Sequence, residues 1–284
     1  MISYALVGTA VIMFGFMFFF NSEYERLNGG SVRAILTFTL GSYAVGFFIL
    51  LAINKLRFEP TPFSLGVAAV AAINLLLYNF CSIKSLGKIN LSLYSVFCML
   101  GGMALPFAAG ILFFDEKLTV GKIVCFITIA ASLLLTIEKG KSKGGIIYYI
   151  GIFVFNGMSG VISKFYQSAE IHKASNAAYS VQIAAWVVIM CTVLMLFNKD
   201  DKIKLNEKSV VCVSGNGILG NIGNFLLLIG LEKLPASAQY PFVTGGVMIV
   251  STIICFFTPN KPKKREIAAV ILSFAGIAVL CILE

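Results

Sequence analysis

The sequence predicts an all-α integral membrane protein, with ten transmembrane helices arranged as two inverted five-helix repeats. Composition gives the first reason. The 284 residues are 58% hydrophobic and only 12% charged, whereas soluble domains are usually about a quarter charged. The second reason is a pattern of residues that recurs about half the chain length apart. Together these observations exclude an ordinary soluble domain.

Long, nearly uncharged runs follow one another along the whole chain. Each is long enough to cross a hydrocarbon layer about 30 Å thick at 1.5 Å per residue. The connections between the runs are short, which leaves no room for a soluble domain. The ten predicted spans cover residues 2–20, 31–53, 63–83, 91–114, 119–137, 146–166, 175–197, 209–231, 236–258 and 266–283.

Basic residues are distributed unequally between the two sides of the predicted bundle. The odd-numbered connections hold about 15 Lys and Arg and the even-numbered ones about 7, which favours odd connections in the cytoplasm and both termini outside. The basic residues are spread over many connections, so we expect no nucleic acid partner. The expected setting is the lipid bilayer of the cell (plasma or inner) membrane, crossed many times.

Two segments carry one pattern. "NFCSIKSLGKINLSLYSVFCMLGGM" (79–103) matches "NFLLLIGLEKLPASAQYPFVTGGVM" (224–248) in its asparagine, lysine, serine and double-glycine positions. With five spans per unit, an odd number, the two copies must be inverted in the membrane, a plan common among transporters. We therefore expect a first repeat at 1–140, a basic linker at 138–145 and a second repeat at 146–284.

Several motifs in these repeats are similar to those of a known family. "SLGKINLS" and "GLEKLPASA" resemble its "AL-x-x-x-x-A-S" run, "FFDEKLTVGKI" resembles its "lgErlt…iG" junction, and "FNGMSGVISK" resembles its "w-g-x-s-x-x-x-x-K" pattern. The chain thus resembles the drug/metabolite transporter superfamily, in its EamA-like ten-helix branch. The resemblance implies movement of small metabolites across a membrane and peripheral fifth and tenth helices.

The chain departs from the family pattern at three places. The first span has "MFGFMFF" where a tryptophan is expected, and Asn21 stands in its lysine position. The second junction carries Pro259-Asn260 where the first carries Glu116. The sequence therefore gives Glu116 no role beyond local structure.

Polar residues recur on one side of several predicted spans. Residues 214–225, "SGNGILGNIGNF", place three asparagines and most of their glycines on one arc of a helix. Polar side chains within a membrane usually face the bundle interior or a wet cavity. We expect a substrate site near the midplane between the repeats, formed by Asn74, Tyr78, Asn79, Tyr94, Asn156, Lys164, Trp186, Asn216, Asn221, Asn224, Gln239 and Tyr240.

Packing is the alternative explanation for these residues, because small residues and asparagines also join membrane helices to one another. Lys164 has two interpretations as well: it attracts a carboxylate or phosphate, or it extends to the membrane interface. Spans four and nine contain helix-weakening residues that are candidates for a hinge or gate, although an ordinary kink is equally consistent. These candidates are Gly101, Gly102, Pro106, Pro241, Gly245 and Gly246.

Inside the predicted spans there is no Asp or Glu, and Glu266 lies at the very start of the last span. Proton-for-cation exchange at an intramembrane carboxylate is therefore disfavoured. The single histidine has no intramembrane acid to pair with, which argues against an enzyme, and the absence of charged rings argues against a channel. We expect no cofactor and no metal, and the cysteines are interpreted as small apolar residues.

The predicted function is transport by alternating access of a small polar or amphipathic metabolite, amino acid-like and neutral, zwitterionic or anionic. The alternative is a flippase for a lipid-linked or headgroup-bearing substrate. The sequence leaves both a monomer and a dimer open.

Overall fold

A computed structural model describes residues 2–86, 91–135, 137, 146–198, 203, 205–257 and 262–283. Within these ranges the chain forms ten α-helices and no strand. The predicted spans correspond to them one for one, mostly to within two residues at each end. The helices are α1 (Ile2–Asn28), α2 (Val32–Ile53), α3 (Pro62–Leu86), α4 (Leu91–Phe113), α5 (Val120–Leu135), α6 (Ile146–Ser168), α7 (Asn176–Phe197), α8 (Glu207–Gly230), α9 (Ala236–Phe256) and α10 (Lys264–Leu283).

The first helix is longer than its predicted span, which ended at residue 20. It continues to Asn28 because its last turns are stabilised by local and tertiary contacts. Arg26 pairs with Glu23 one turn earlier, and the buried Tyr24 donates a hydrogen bond to the carbonyl of Ala34 on α2, at 3.0 Å. The expectation that acidic residues lie outside the spanning helices is thus corrected for α1, and α8 and α10 also carry a glutamate in their first turn, Glu207 and Glu266.

Eight of the ten helices in the described ranges have the length and hydropathy to cross a membrane. The other two are α5, a shorter apolar helix of 16 residues, and α6. The α6 helix carries the polar residues of "FNGMSGVISK" and lies against α3, α4, α8 and α9. Its polar groups are therefore surrounded by other helices, which is how a membrane protein accommodates them.

The helix contacts follow the pattern expected of two repeats. The α1 helix packs on α8 and α9, and α6, its counterpart in the second half, packs on α3 and α4. Likewise α2 packs on α7 and α8, and α7 on α2 and α3. Each of these contacts has a counterpart in which every helix is replaced by the equivalent helix of the other half, five positions along the chain. The opening helix of each half thus packs against the third and fourth helices of the other half.

The fifth and tenth helices lie against each other and against α9. Buried apolar residues join them, including Cys125, Ile129 and Leu280, and the hydroxyls of Ser132 and Ser273 are 2.7 Å apart between them. Within the part of the chain that the structure describes, they make no comparable contact with α1, α2, α3, α6, α7 or α8. The peripheral position implied by the family resemblance agrees with this packing. The linker predicted at 138–145 lies outside the described residues.

Candidate functional site

Glu116 lies in the connection between α4 and α5, and the chain turns back there to place its side chain against α4. Asp115 has a positive φ of 51°, and the Glu116 amide donates to the carbonyl of Gly110 at 3.0 Å. A Cβ atom at Gly110 would lie 2.4 Å from the Glu116 carboxylate. A glycine is therefore needed for this carboxylate to fold back over the end of the helix.

The Glu116 carboxylate bonds to four groups that all belong to the second half of the chain. Lys164 Nζ on α6 lies 2.7 Å from it. The amides of Ala236 and Ser237, at the start of α9, donate to it at 2.7 and 2.8 Å, and the Ser237 hydroxyl donates at 2.6 Å. One side chain of the first half thus joins two helices of the second.

Burial and hydrogen bonding shift the pKa of the Glu116 carboxyl group in opposite directions. Its burial raises the pKa of Glu116, but the hydrogen bonds from Lys164, Ser237 and Ala236 together outweigh that effect and lower the pKa below its usual value. The free amides at the start of α9 also favour a negative charge there. Glu116 is therefore ionised at neutral pH and paired with the lysine cation.

Lys164 faces the protein interior, with only 13% of its side chain exposed. Its ammonium also lies 5.8 Å from the centre of the Phe114 ring. Of the two interpretations of this residue, the structure shows an ammonium that pairs with a carboxylate in the connection between α4 and α5, near the end of α6. The anion that it holds in this structure is Glu116.

Tyr240 lies next to this ion pair. Its hydroxyl donates to the carbonyl of Gly160 at 3.3 Å, one turn before Lys164 on α6. We call Glu116, Lys164, Ser237 and Tyr240 the Glu116 cluster. Its charged members neutralise each other, and its residues come from both halves of the chain.

Four of the predicted binding residues use their amides to join helices. Asn74 donates to the Phe155 carbonyl and the Ser159 hydroxyl of α6, at 2.8 and 2.9 Å. Asn156 donates from α6 to the Cys98 carbonyl of α4 at 2.7 Å. These bonds satisfy buried polar groups across helix contacts, as interhelical amides commonly do.

Asn221 and Gln239 are also buried. Asn221 donates to the carbonyls of Gly217 and, on α2, Ser42, at 2.8 and 3.3 Å. Gln239 donates to the Leu227 carbonyl at 2.9 Å, and its Oε1 atom has no hydrogen-bond partner. For these residues the structure shows helix contacts where the sequence suggested an open cavity wall.

The glycines of residues 214–225 also differ from the expectation of a cavity wall. Added Cβ atoms at Gly220 and Gly223 would come within about 3 Å of Met17 and Phe14 on α1, and one at Gly217 would lie 2.6 Å from the Ser42 carbonyl of α2. These glycines let α8 approach two other helices closely. The prediction that they line a cavity is therefore corrected: they form a packing surface.

Asn224 is different, because it is exposed although it lies on the inward side of α8. At about 100° per residue, its position falls between those of the buried residues Val213 and Gly217. The lipid-facing residues Val211 and Ile218 lie well over a quarter turn away. Its amide nitrogen bonds within the helix, to Gly220 at 2.9 Å. Asn224 is therefore the exposed one among the three asparagines of this stretch.

Ser159 on α6 has the same combination of inward position and exposure. It lies between the buried residues Ile152 and Tyr166 in angle, while the exposed Ile147 and Phe165 mark the lipid side. Asn79, the repeat counterpart of Asn224, is half-buried, and its nitrogen lies 3.5 Å from the Thr39 hydroxyl. Accessible polar groups thus face inward from both repeats.

The other predicted binding residues have less specific surroundings. Tyr78 lies with its hydroxyl 3.1 Å from the Cys98 sulfur. Trp186 is half-buried among apolar residues of α3 and α7, including Ala68 and Ala72, and Asn216 is half-buried on α8. The side chain of Tyr94 lies outside the described part of the structure.

The hinge candidates lie inside helices and at close helix contacts. Pro106 and Pro241 lie within α4 and α9. A Cβ at Gly101 would lie 2.1 Å from the Phe153 carbonyl, and one at Gly102 would lie 2.6 Å from the Asn156 amide. Gly245 and Gly246 approach α5 and α1 in the same way. Close packing against neighbouring helices explains why these positions are glycines. A role of these residues as a hinge stays a prediction.

Sequence reasoning missed the role of Glu116 in joining the halves. The signal was present in "FFDEK", where an acidic pair directly follows an apolar run. What could not be foreseen was that the start of α9, far along the chain, supplies two amides to it. Among the described residues, no group of three His, Cys, Asp or Glu could hold a metal ion.

Comparison with known proteins agrees with this architecture. Residues 143–282 match the EamA-like transporter family. A crystal structure of another protein aligns with 99% of this chain and 96% of its own, with a TM-score of 0.76 and 15% sequence identity, which shows a shared fold. No curated protein matches the sequence.

This match, over the second half of the chain, confirms the resemblance to the EamA-like transporter family of the drug/metabolite transporter superfamily. The chain is a helical, multi-pass membrane protein, and this family consists of transporters rather than enzymes.

Proposed function

We propose that the protein transports a small zwitterionic metabolite, amino acid-like in its charges, by alternating access between its two halves. The observation that carries this proposal is the Glu116–Lys164 ion pair at 2.7 Å, which is buried and shared between the halves. Glu116 lies in the first half, and Lys164 and the start of α9 lie in the second.

Alternating access requires the two halves to separate at one edge of the membrane while they close at the other. At the edge where α6 ends and α9 begins, the bonds of Glu116 oppose separation. Breaking a buried pair leaves a desolvated charge and costs about 3–5 kcal/mol. Opening this edge therefore needs new partners for both charges.

A zwitterion supplies both partners. Its carboxylate replaces Glu116 beside Lys164 and the α9 amides, and its ammonium replaces Lys164 beside Glu116. A substrate with one charge would leave one member of the pair unsatisfied. This argument favours the zwitterionic class among the neutral, zwitterionic and anionic substrates that the sequence allowed.

We place the path of the substrate beside the exposed Asn224 and Ser159. Both residues lie deeper in the bundle than the Glu116 cluster, since Lys164 is nearer the end of α6 than Ser159 is. Amide and hydroxyl groups can bind a polar solute without the cost of burying another charge. Among the predicted residues, Asn79, Asn224 and Tyr240 are the first choice for substrate contacts.

The flippase alternative requires a polar path that opens sideways to the bilayer. A groove on the side of the bundle, between α3 and α6, is lined by apolar residues. Such a lining suits an alkyl chain and not a headgroup. We therefore rank the flippase second.

Uptake into liposomes containing the purified protein tests the proposal. The panel contains labelled amino acids, amines, carboxylic acids and sugars, with a labelled phospholipid headgroup as the alternative substrate. Faster entry of amino acids than into empty vesicles supports the proposal. Movement of the headgroup alone would identify a flippase.

We further propose that the protein resides in the cell (plasma or inner) membrane, with odd connections in the cytoplasm. A C-terminal reporter active only in the cytoplasm would then be silent, and one active only outside would report. The opposite result would overturn this orientation. We propose the lipid bilayer and the solute as the partners of the protein, with a monomer or a dimer as the working unit.

A further inference from the structure

A groove of about 730 Å³ lies on the side of the bundle between α3 and α6, below the end of α4. Phe63, Gly66 and Val70 form one wall, and Val161 and Phe165 form the other. Every residue that lines it is Pro, Gly, Val, Ile, Met or Phe. Its volume lies in the range of about 300–1,000 Å³ that is typical of sites for one small ligand.

The groove is continuous with the surface that faces lipid. Val70 is 54% exposed and Phe165 is 50% exposed, and both lie on the outward sides of their helices. In the hydrocarbon layer an empty groove loses dispersion contacts along its whole lining. Water does not fill it, because a water molecule needs polar partners. Alkyl chains are the material available to occupy it.

The depth of the groove matches one leaflet of the bilayer. It begins at Pro62, the first residue of α3, and continues along that helix to Val70. Eight residues of helix rise about 12 Å, close to half of a hydrocarbon layer about 30 Å thick. An acyl chain that enters from this edge of the membrane fits along it.

We propose that this groove is a specific binding site for one acyl chain of a phospholipid from the adjoining leaflet. The chain packs between α3 and α6 and against Phe114, whose ring also contacts the Lys164 ammonium. The bound acyl chain therefore packs beside the Glu116 cluster, with the Phe114 ring between the chain and Lys164. This site does not depend on which solute the protein transports.

Gly66 offers a direct way to fill the groove. A Cβ atom at this position meets no other atom within 4 Å, so Gly66→Phe places a ring in the groove without a backbone clash. Gly8 on α1 is the matched control, since its Cβ also has open space and it lies outside the groove. Val70→Trp fills the same groove from the exposed wall if Gly66→Phe does not fold.

The experiment uses the full chain in detergent with a few equivalents of a phospholipid that carries a photoreactive group on its acyl chain. After illumination, mass spectrometry compares labelling of residues 62–70 and 158–165 with labelling of exposed Ile271 and Phe274 on α10. We expect a preference of about tenfold for the groove. Gly66→Phe should remove this preference, and Gly8→Phe should retain it.

Equal labelling of the groove and α10 in the unchanged protein would overturn the proposal. A preference that survives in folded Gly66→Phe or Val70→Trp protein would overturn it as well. Because no transport is measured, either result leaves the proposed zwitterion transport untouched.

Discussion

Glu116 and Lys164 form a buried ion pair, 2.7 Å from oxygen to nitrogen, between the two halves of the chain. The same carboxylate accepts hydrogen bonds from the first two residues of α9. A residue in a short connection therefore holds together α4, α6 and α9. Opening of the protein at this edge requires these bonds to break.

Removing one charge of this pair should destabilise the folded protein. Glu116→Gln leaves Lys164 as a buried cation without its counterion, at a cost of about 3–5 kcal/mol. The double variant Glu116→Gln/Lys164→Met removes both charges and should recover most of that loss. Thermal unfolding in detergent measures the three proteins.

Glu23→Gln is the matched control for this prediction, because Glu23 is also paired with a basic residue but the pair is largely exposed. Exposed pairs add little to stability, so this change should leave the unfolding temperature nearly unaltered. A double variant no more stable than Glu116→Gln would contradict the account of the buried pair.

The stability that Glu116 provides should depend on pH in the acidic range. Folding lowers the pKa of this carboxyl below its usual value of 4.5. A carboxyl whose pKa is lowered by folding stabilises the folded protein fully at pH values above its pKa in the unfolded state. This stabilisation is lost as the pH falls through its pKa in the folded state. The unfolding-temperature difference between the unchanged protein and Glu116→Gln should thus shrink below pH 4.5. A difference that stays constant or grows there would contradict the assignment.

Gly101 should tolerate no side chain. An added methyl group at this position would lie 2.1 Å from the Phe153 carbonyl, so α4 and α6 would have to move apart. We expect Gly101→Ala to lose about 1–3 kcal/mol of stability. Gly8→Ala, at an open position, should be neutral or slightly stabilising, since alanine favours helix. Equal unfolding temperatures for the two variants would show that this contact does not limit packing.

Two asparagines on α8 should behave in opposite ways. Asn221 is buried and bonds to α2, so Asn221→Ala should cost about 1–2 kcal/mol of stability. Asn224 is exposed and lies on the proposed substrate path, so Asn224→Ala should keep the unfolding temperature and reduce transport. Parallel measurements of unfolding and liposome uptake separate the two effects. Unchanged uptake by a folded Asn224→Ala protein would remove this residue from the proposed path.

The ten helices were predictable, because long apolar runs separated by short polar connections are written directly in the sequence. The sequence could not distinguish the roles of Asn221 and Asn224, which lie on one arc of α8. Only the positions of α1 and α2 decide that the first is covered and the second is open. For the same reason the glycines near them were assigned to a cavity when they serve packing.

The Glu116 cluster was harder to predict for a different reason. Its members come from a connection, from α6 and from the start of α9, and no spacing along the chain relates them. Helix ends bind anions through free amides, but which carboxylate reaches which end depends on how the repeats interleave. The length of α1 was underestimated because Tyr24 gains its burial only from α2.

Uptake of three matched solutes into liposomes tests the central claim most directly. They are an α-amino acid, the amine that lacks its carboxylate and the acid that lacks its ammonium group. We expect the amino acid to enter fastest, and we expect folded Glu116→Gln/Lys164→Met protein to lose that preference while Glu23→Gln retains it. Equal entry of the three solutes, or an amino acid preference that persists without the ion pair, would contradict the account.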